Sequence, residues 1–168
     1  MCTSGIKDHK VFVKEVKLLT PSIVSMWCKA PDLNFLPGQF LMLEVPGFSL
    51  RRPFVIVDKK DADIRVIFKI RGKGTAFLSK IKEGTELKAL GPLGNVFPEL
   101  SKTDAPLLVG GGIGIVTLLP LAKKLSENCP VTVALGADTK ESLILLDEFS
   151  SCSKVITCTD DGTQGSQC

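Results

Sequence analysis

The segment that most constrains the fold is an uncharged run over residues 105–122, reading APLLVGGGIGIVTLLPLA. Its 18 residues are barely enough for a membrane helix. Three consecutive glycines and Pro120 disfavour a continuous helix of that length. A buried strand, a loop of bare backbone and a helix account for the same residues, and further βα elements follow them. The sequence therefore predicts a β-to-α crossover here and no membrane span.

Two interpretations of the crossover are open at this level. The dinucleotide fingerprint G-x-G-x-x-G fails, because Ile115 and Thr117 stand where its last glycine would fall. The bare backbone over residues 110–114 would nevertheless let a phosphate approach the start of the following helix. The alternative is a tight turn in which glycine is needed only for packing.

The rhythm of the sequence changes near residue 100. Before it, short strands alternate with Pro and Gly turns, which is typical of a small antiparallel barrel. One short helix interrupts them in TAFLSKIKEG, with Thr75 as its predicted N-cap and Gly84 as its stop. After it, the order is βαβαβ, with helices predicted in IVTLLPLAKKLSEN and KESLILLDEFS. The sequence thus predicts an antiparallel β-barrel over residues 1–101 and an α/β parallel-sheet domain over residues 102–168.

Composition narrows the class of protein. The 168 residues are 44% hydrophobic and 23% charged, which suits a globular core. Residues 1–101 carry a net charge of +6 and residues 102–168 carry −3, so the first half could serve an anionic ligand or simply have an ordinary surface. The chain has no tyrosine, which disfavours an aromatic platform for single-stranded nucleic acid.

The cysteines indicate neither a metal site nor a disulfide framework. Six are present without a C-x-x-C pair, and the only histidine, His9, is placed by the sequence in an N-terminal tail. These spacings exclude the usual zinc and iron–sulfur ligand sets. No secretory signal precedes the first strand, so we expect reduced thiols and a cytoplasmic protein.

Two further loops are candidate phosphate sites. In RGKGTAFL, Gly72, Gly74 and Thr75 open a helix and could bind a diphosphate, or could form a capped helix after a hairpin. In SLRRPFVIVD, a guanidinium held before a proline could bind phosphate through two hydrogen bonds, or both arginines could form a charged start to a strand. A third segment, GPLGNVF, could be an ordinary turn or a place where a planar ring packs on backbone.

The ordered set R-P-F-V, G-K-G-T, G-P-L-G-N-V-F, L-L-V-G-G-G-I-G, L-L-D-E-F and T-D-D-G resembles the ferredoxin-reductase superfamily. Within it, the chain most resembles the electron-transfer subunits of dihydroorotate dehydrogenases that have a separate catalytic subunit. The resemblance implies an FAD-binding barrel, an NAD-binding α/β domain and a role in passing electrons in pyrimidine biosynthesis. It also implies that the catalytic dihydroorotate dehydrogenase subunit is the partner, with no membrane or nucleic acid involved.

Related subunits share these motifs, so alternatives stay open. They include subunits of a ferredoxin:NADP oxidoreductase, a sulfide dehydrogenase or a hydrogenase. A non-catalytic FAD-binding module is a further alternative. In each case the protein would orient and tune cofactors, and the sequence offers no catalytic acid–base residue.

The resemblance also assigns residues by position. The flavin segment matches Arg52, Pro53, Phe54 and Val55, which implies that Arg52 holds FAD phosphate or ribitol and that Phe54 lies near the ring. Val55 stands where relatives carry a serine. The remaining matches are the FAD-diphosphate loop and the nucleotide loop, with one acidic residue for an adenosine ribose: Gly72, Lys73, Gly74, Thr75, Gly110, Gly111, Gly112, Ile113, Gly114 and Asp138.

The superfamily pattern continues beyond Cys168. Its later strands, a C-G-P segment and the cysteine ligands of a [2Fe–2S] cluster have no counterpart here, so that cluster is expected only in the complete family protein. We expect a truncated chain, or one stabilised by a partner or by self-association. The strand LLVGG should then have an uncovered apolar edge, and the helix over residues 115–127 should have exposed faces.

Overall fold

The computed structural model describes residues 5–98, 100–101 and 103–167, with residues 166–167 described by their backbone. It divides into two compact units, Met1–Val96 and Phe97–Cys168. The first unit is a closed antiparallel barrel, and the second is a parallel sheet with helices. The predicted fold class is confirmed.

Six strands form the barrel, in the order β1-β2-β5-β4-β3-β6 around its wall. All neighbours are antiparallel, and side chains alternate between the interior and the surface. A short helix, α1, connects β5 to β6. The elements are β1 Lys7–Thr20, β2 Ile23–Lys29, β3 Phe40–Leu43, β4 Arg52–Lys60, β5 Asp63–Lys69, α1 Lys73–Leu78 and β6 Glu86–Leu93.

His9 lies in β1 and not in a tail. Its side chain is only 6% exposed, and its Nε2 atom lies 3.2 Å from the carbonyl oxygen of Gly91. The alternation of buried and exposed residues in β1 places His9 on the same face as Val11 and Val13, which are in the barrel core. The prediction of a tail position was wrong because β1 already begins at Lys7, two residues before His9.

Helix α1 starts earlier and ends earlier than predicted. Gly72 is its N-cap, and Thr75 lies inside the first turn. The Thr75 hydroxyl oxygen accepts the N–H groups of Arg71 at 2.9 Å and Gly72 at 3.2 Å, so threonine stabilises the loop from within the helix. Gly84 lies beyond the helix in a turn, with φ of +82°.

The second unit has four parallel strands in the order β10-β9-β8-β7. A 3₁₀ helix over Gly112–Thr117 runs directly into α2, and a second 3₁₀ turn over Lys140–Ser142 precedes α3. The elements are β7 Leu107–Gly111, α2 Leu118–Ser126, β8 Thr132–Ala137, α3 Leu146–Ser150, β9 Lys154–Thr159 and β10 Ser166–Gln167.

The predicted helix in KESLILLDEFS is confirmed only in its second half, where α3 lies. A 3₁₀ turn takes the place of the first half, and Leu145 between the two adopts a left-handed conformation with φ of +64°. Leu143 and Ile144 are buried, at 7% and 6% exposure. Four consecutive apolar residues, 143–146, cannot share one face of a helix, and the chain turns there with the first two of them buried.

The edge of β7 is uncovered, as predicted. Among the described strands β7 pairs only with β8, and its residues Leu107 and Val109 are 60% and 69% exposed. A groove of about 520 Å³ lies along this strand between the 97–106 segment and α2. The expectation of exposed apolar helix faces was wrong, because all the apolar side chains of α2 are buried. Leu119 is fully buried, and Leu118 is 9% exposed.

The cysteines differ in state. Cys28 and Cys129 are buried free thiols, and Cys152 is a half-buried free thiol. Burial raises the pKa of Cys28 to about 12, with a smaller effect from Asp63, so this thiol stays protonated. Cys158 is disulfide-bonded, which contradicts the expected reduced state at that position. Cys2 and Cys168 lie outside the described residues.

None of the described helices combines the length and the apolar character that crossing a membrane requires. The longest helix of the uncharged run, α2, covers only nine residues. The glycine-rich part of that run is a strand followed by a 3₁₀ helix, as the crossover interpretation predicted.

Phe149 is expected to be a main source of stability in the second unit. It is fully buried in α3, so Phe149→Ala should lower the free energy of unfolding by about 3–5 kcal/mol through lost burial and a cavity. Urea denaturation followed by far-UV circular dichroism measures the loss. Leu107→Ala, at a 60% exposed position, should change the free energy by no more than about 0.5 kcal/mol. Equal midpoints for the two variants would contradict this account of the core.

Candidate functional site

The start of β4 offers an open backbone edge. Residues 52–55 pair with β3 on one side, from Arg52 opposite Leu43 to Val55 opposite Phe40. Pairing of β4 with β5 begins only at Ile56, so the other edge of residues 52–55 has no strand partner among those described. Pro53, which lacks an N–H, can sit there without losing a hydrogen bond of the sheet.

The two adjacent arginines have different roles. Nη1 of Arg51 lies 2.6 Å from Oδ1 of Asp8, and its Nη2 lies 3.6 Å from Oε2 of Glu44. Arg52 points the other way, and its Cζ atom lies 5.5 Å from the ring centre of Phe48. Arg51 directly precedes β4 and Arg52 is its first residue, and the two guanidinium groups have different partners. Arg51 is held by carboxylates on the barrel, whereas Arg52 lies against the Phe48 ring and the Leu50 carbonyl oxygen.

Arg52 brings the first two motifs together. A Cβ atom built on Gly74 would lie 3.3 Å from both Nε and Nη2 of Arg52. Gly74 is buried in α1, so its lack of a side chain lets the guanidinium pack closely on the helix backbone. Arg52 also donates a hydrogen bond to the carbonyl oxygen of Leu50. These contacts fix a positive charge beside the G-K-G-T loop.

The other residues of that loop are more exposed. Gly72 and Lys73 lie at the surface, and Thr75 is half-buried. The Thr75 hydroxyl donates its proton to the carbonyl oxygen of Gly72 at 3.0 Å, so this hydroxyl is already committed within the loop. If this loop binds a phosphate, Thr75 would therefore contribute its backbone N–H and not its hydroxyl. The sequence alone does not show that the hydroxyl is already hydrogen-bonded.

Phe54 lies in the barrel core. It is 6% exposed, and its ring centre lies 5.2 Å from that of Phe68. Most of the ring is therefore covered by the protein itself, and only a small part could meet a bound ring system. Val55, the next residue along β4, is half-buried and carries no hydroxyl.

The segment GPLGNVF lies beside the flavin-matching strand. Phe40 of β3 is opposite Val55 on one side and Leu93 of β6 on the other, so three strands align these residues. Gly94 has φ of +87°, and a Cβ there would lie 2.9 Å from the Phe40 ring. The segment forms a turn in which Gly94 packs on a planar ring. That ring is the side chain of Phe40 from the same chain.

The glycines at and after the end of β7 in the second unit differ in why glycine suits each position. A Cβ on Gly110 would lie 2.7 Å from Cδ1 of Leu118, so glycine is needed there for packing. Gly112 has φ of +53°, which favours glycine for its conformation. Gly114 is exposed, with open space where its Cβ would be. The packing interpretation therefore applies to Gly110, and the nucleotide interpretation stays a prediction for the rest of the loop.

The remaining two residues of this loop, Gly111 and Ile113, add little side chain to the surface. Gly111 lies opposite Gly136 of β8, and both leave the end of the sheet without side chains. Ile113 is half-buried between the exposed Gly112 and Gly114. The carboxyl end of β7 is therefore a surface made largely of backbone.

Asp138 lies at the same end of the sheet. It is exposed and directly follows β8, whose carboxyl end meets that of β7 in a parallel sheet. The Asp138 carbonyl accepts the N–H of Asp161 at 3.3 Å, and the N–H of Lys140 is donated to the Thr163 hydroxyl at 3.0 Å. The T-D-D-G loop therefore supports the Asp138 loop.

Within that supporting loop, Asp161 stays charged. Thr163 donates its hydroxyl at 2.7 Å and its N–H at 3.0 Å to the Asp161 carboxylate. These hydrogen bonds, the side-chain bond first, hold the pKa of Asp161 below its usual range. The sequence motif was part of the resemblance, but its role in bracing the neighbouring loop was not evident.

Sequence reasoning did not identify Phe48 and Phe77. Phe48 lies under Arg52, and the ring centre of Phe77 lies 6.3 Å from that of Phe48. Phe77 could have been found from its spacing, because it follows Gly74 by three residues on the same helix. Phe48 comes from a loop and has no such signal. Within the described ranges, no group of three His, Cys, Asp or Glu residues is arranged to hold a metal ion.

Comparison with known proteins identifies the class. No protein-family model matches the chain. The fold is similar to an NADH-dependent reduced ferredoxin–NADP oxidoreductase, with a TM-score of 0.85 and 32% identity over 99% of this chain and 61% of that one. The ferredoxin reductase of carbazole 1,9a-dioxygenase shares the fold, with a TM-score of 0.84 and 23% identity over 97% of this chain and 54% of that one. The chain is thus similar in fold and in sequence to ferredoxin-reductase-like proteins.

Curated relatives place it more closely. The dihydroorotate dehydrogenase B (NAD(+)) electron transfer subunit homolog of Thermotoga maritima is 41% identical over 91% of this chain and 56% of the relative. The electron transfer subunit from Streptococcus mutans is 39% identical over 95% of this chain and 65% of the relative. The chain is thus similar to dihydroorotate dehydrogenase electron-transfer subunits and spans 56–65% of the length of these two.

The distinct roles of the glycines can be tested by stability. Gly110→Ala should lower the free energy of unfolding by about 1–3 kcal/mol, because Leu118 must move to admit the new Cβ. Gly114→Ala has open space and should leave stability unchanged or raise it by about 0.5–1 kcal/mol. Chemical denaturation of both variants measures the difference. A larger loss at Gly114 than at Gly110 would overturn the assignment.

Proposed function

We propose that this chain is an electron-transfer flavoprotein subunit that binds FAD in its barrel domain, residues 1–101, and NAD in its α/β domain, residues 102–168. It would pass electrons between a catalytic dihydroorotate dehydrogenase subunit and NAD in pyrimidine biosynthesis. The packing of Arg52 against Gly74 carries the proposal, because it joins the two segments that match the family's FAD site. Identity of 39–41% to electron transfer subunits supports the choice of partner.

The barrel residues fit the flavin. The Arg52 guanidinium can neutralise a diphosphate, and its contacts with Phe48 and Gly74 hold it in place before a ligand arrives. The open edge over residues 52–55 can hydrogen-bond a ring system through backbone groups. At Val55 the N–H replaces the hydroxyl that relatives provide. When bound, FAD supplies the transfer of one or two electrons, and these residues bind and orient it.

The second unit fits a nicotinamide nucleotide. Gly112 and Gly114 leave the carboxyl end of β7 open to a diphosphate, whereas Gly110 serves packing. The exposed Asp138 carboxylate can accept hydrogen bonds from an adenosine ribose, and the T-D-D-G loop supports its position. We assign no [2Fe–2S] ligands to the described residues.

A second candidate is the corresponding subunit of a ferredoxin–NADP oxidoreductase. It is favoured by the 32% identity and TM-score of 0.85 to such a protein over 99% of this chain. Both candidates use the same barrel and loops. Copurification and electron transfer with a catalytic dihydroorotate dehydrogenase subunit would support the first candidate, and activity only with ferredoxin would support the second.

Arg52→Ala should weaken FAD binding by about tenfold to a hundredfold, because it removes charged hydrogen bonds to the diphosphate. Titration of the apoprotein with FAD, followed by flavin fluorescence, measures the dissociation constant. Arg51→Ala is the matched control, since Arg51 is paired with Asp8 and Glu44 and should leave the constant unchanged.

A wild-type protein that binds no FAD would overturn the proposed function. Equal weakening by Arg51→Ala and Arg52→Ala would show that overall charge governs binding and that the phosphate assignment is wrong.

Asp138→Ala should weaken NADH binding by about tenfold, through loss of hydrogen bonds to the ribose. The NADH concentration that half-bleaches the bound flavin in single-turnover absorbance measurements reports the change. Glu127→Ala removes the same charge at another exposed position of the second unit and should have no effect. A flavoprotein that NADH does not bleach would favour a non-catalytic FAD-binding module.

A further inference from the structure

The first half of β1 has a strand edge that no described strand covers. These residues pair with β6 on one side, but on the other side the pairing of β1 with β2 starts only at Phe12, opposite Lys29. Beyond Lys29 the chain turns away from β1, and the Ala30 N–H is donated to the carbonyl oxygen of Ala62 at 2.7 Å. Residues 7–11 therefore keep an open edge among the described strands.

The backbone groups of Asp8 and Lys10 point to this open edge. Further along the strand, Val13 donates its N–H to the Thr85 carbonyl oxygen at 3.0 Å and accepts the N–H of Gly84 at 2.8 Å, so its backbone groups point to the β6 side. Successive residues of a strand direct these groups to opposite sides, and the pairing with β6 is regular over this stretch. Asp8 and Lys10 thus each offer an N–H and a C=O to an added strand.

A pocket of about 530 Å³ lies over the same edge, between the start of β1 and the 29–32 segment. His9 lines it and is only 6% exposed. Its Nε2 atom carries a proton, because it lies 3.2 Å from the Gly91 carbonyl oxygen, which can only accept. Nδ1 has no hydrogen-bond partner among the described residues. No such atom is fully enclosed by protein in them, so Nδ1 is open to the pocket.

Two charged side chains that line the pocket are already paired. Oδ1 of Asp8 lies 2.6 Å from Nη1 of Arg51, and Nζ of Lys10 lies 3.1 Å from Oε1 of Glu86. These pairs cancel each other's charge close to the strand. The remaining lining charges therefore decide the sign of the pocket.

Those remaining charges are positive in balance. Lys7 and Lys29 are exposed and have no ion-pair partner among the described residues, and Asp32 is the one carboxylate against them. A second copy of this edge would bring lysines against lysines, which is how proteins prevent self-pairing of open strands. An acidic segment meets the opposite situation. Phe12, at 40% exposure, adds an apolar contact beside the charges.

We propose that the open edge of β1 is a docking site for an extended, acidic segment of a partner protein, which adds to the barrel as a further strand. The backbone of Asp8 and Lys10 supplies the hydrogen bonds of the new strand pair, and Lys7 and Lys29 select acidic side chains. Nδ1 of His9 offers one more polar contact inside the pocket. This surface is separate from the segments assigned to FAD and NAD, so the inference goes beyond the proposed function and does not rest on it.

The test measures fluorescence anisotropy of a labelled hexapeptide of alternating glutamate and valine, blocked at both ends, on titration with the full chain. A peptide with lysine in place of glutamate should bind at least about tenfold more weakly. Two further peptides carry N-methyl groups, one on the glutamate amides and the other on the valine amides. Only every second amide of an added strand faces β1, so one of the two should lose at least about tenfold in affinity and the other should not.

On the protein side, Lys29→Glu should weaken binding of the acidic hexapeptide by at least about tenfold. Lys69→Glu is the matched control, because it makes the same charge change at an exposed residue of β5. Lys69 lies opposite Ile23, at the far end of β2 from Lys29, and its substitution should leave the affinity close to that of the wild type.

Four results would overturn the inference. They are no binding of the acidic hexapeptide, equal affinities of the two methylated peptides, displacement of the hexapeptide by an equal concentration of free glutamate, and equal effects of Lys29→Glu and Lys69→Glu. Displacement by glutamate would show a site for small anions, and equal effects of the two substitutions would show a response to overall charge. A chain that binds FAD but not the hexapeptide loses this inference and keeps the proposed function.

Discussion

The close packing of the Arg52 guanidinium on the backbone of Gly74 is the contact on which the barrel site depends. It joins the start of β4 to α1, two segments that are 22 residues apart in sequence. Glycine permits it, because any side chain at position 74 would meet the guanidinium at 3.3 Å. A positive charge held in this way is preorganised, which is the property that the proposed phosphate site needs.

The same contact orders the residues around it. Phe48 and Leu50 hold the guanidinium from the loop side, while β4 continues away from it as an open backbone edge. Arg51 is drawn to the carboxylates of Asp8 and Glu44 and leaves the site to its neighbour. Two adjacent arginines at the start of β4 thus have different surroundings, carboxylates for Arg51 and an aromatic ring with helix backbone for Arg52.

In the second unit, the loop that follows β7 presents mainly backbone and carries no charged side chain. Gly110 lets α2 pack closely, Gly112 allows the chain to turn, and Gly114 leaves space. Asp138 stands at the same end of the sheet on a loop that hydrogen bonds from the T-D-D-G segment support. The exposed edge of β7 is a separate feature of this unit, at the side of the sheet and not at its carboxyl end.

The sequence by itself determined the fold class, the barrel strands and the β-to-α crossover, because alternation and glycine placement are local properties of the chain. The order of its motifs also predicted the similarity to ferredoxin reductases that the comparisons show. Only the tertiary structure decided that Arg52 and not Arg51 faces Gly74, that Phe54 packs on Phe68, and that residues 143–146 turn instead of continuing a helix. These outcomes depend on which distant side chains compete for one buried volume or one charge, and such competition exists only after the strands and helices have come together.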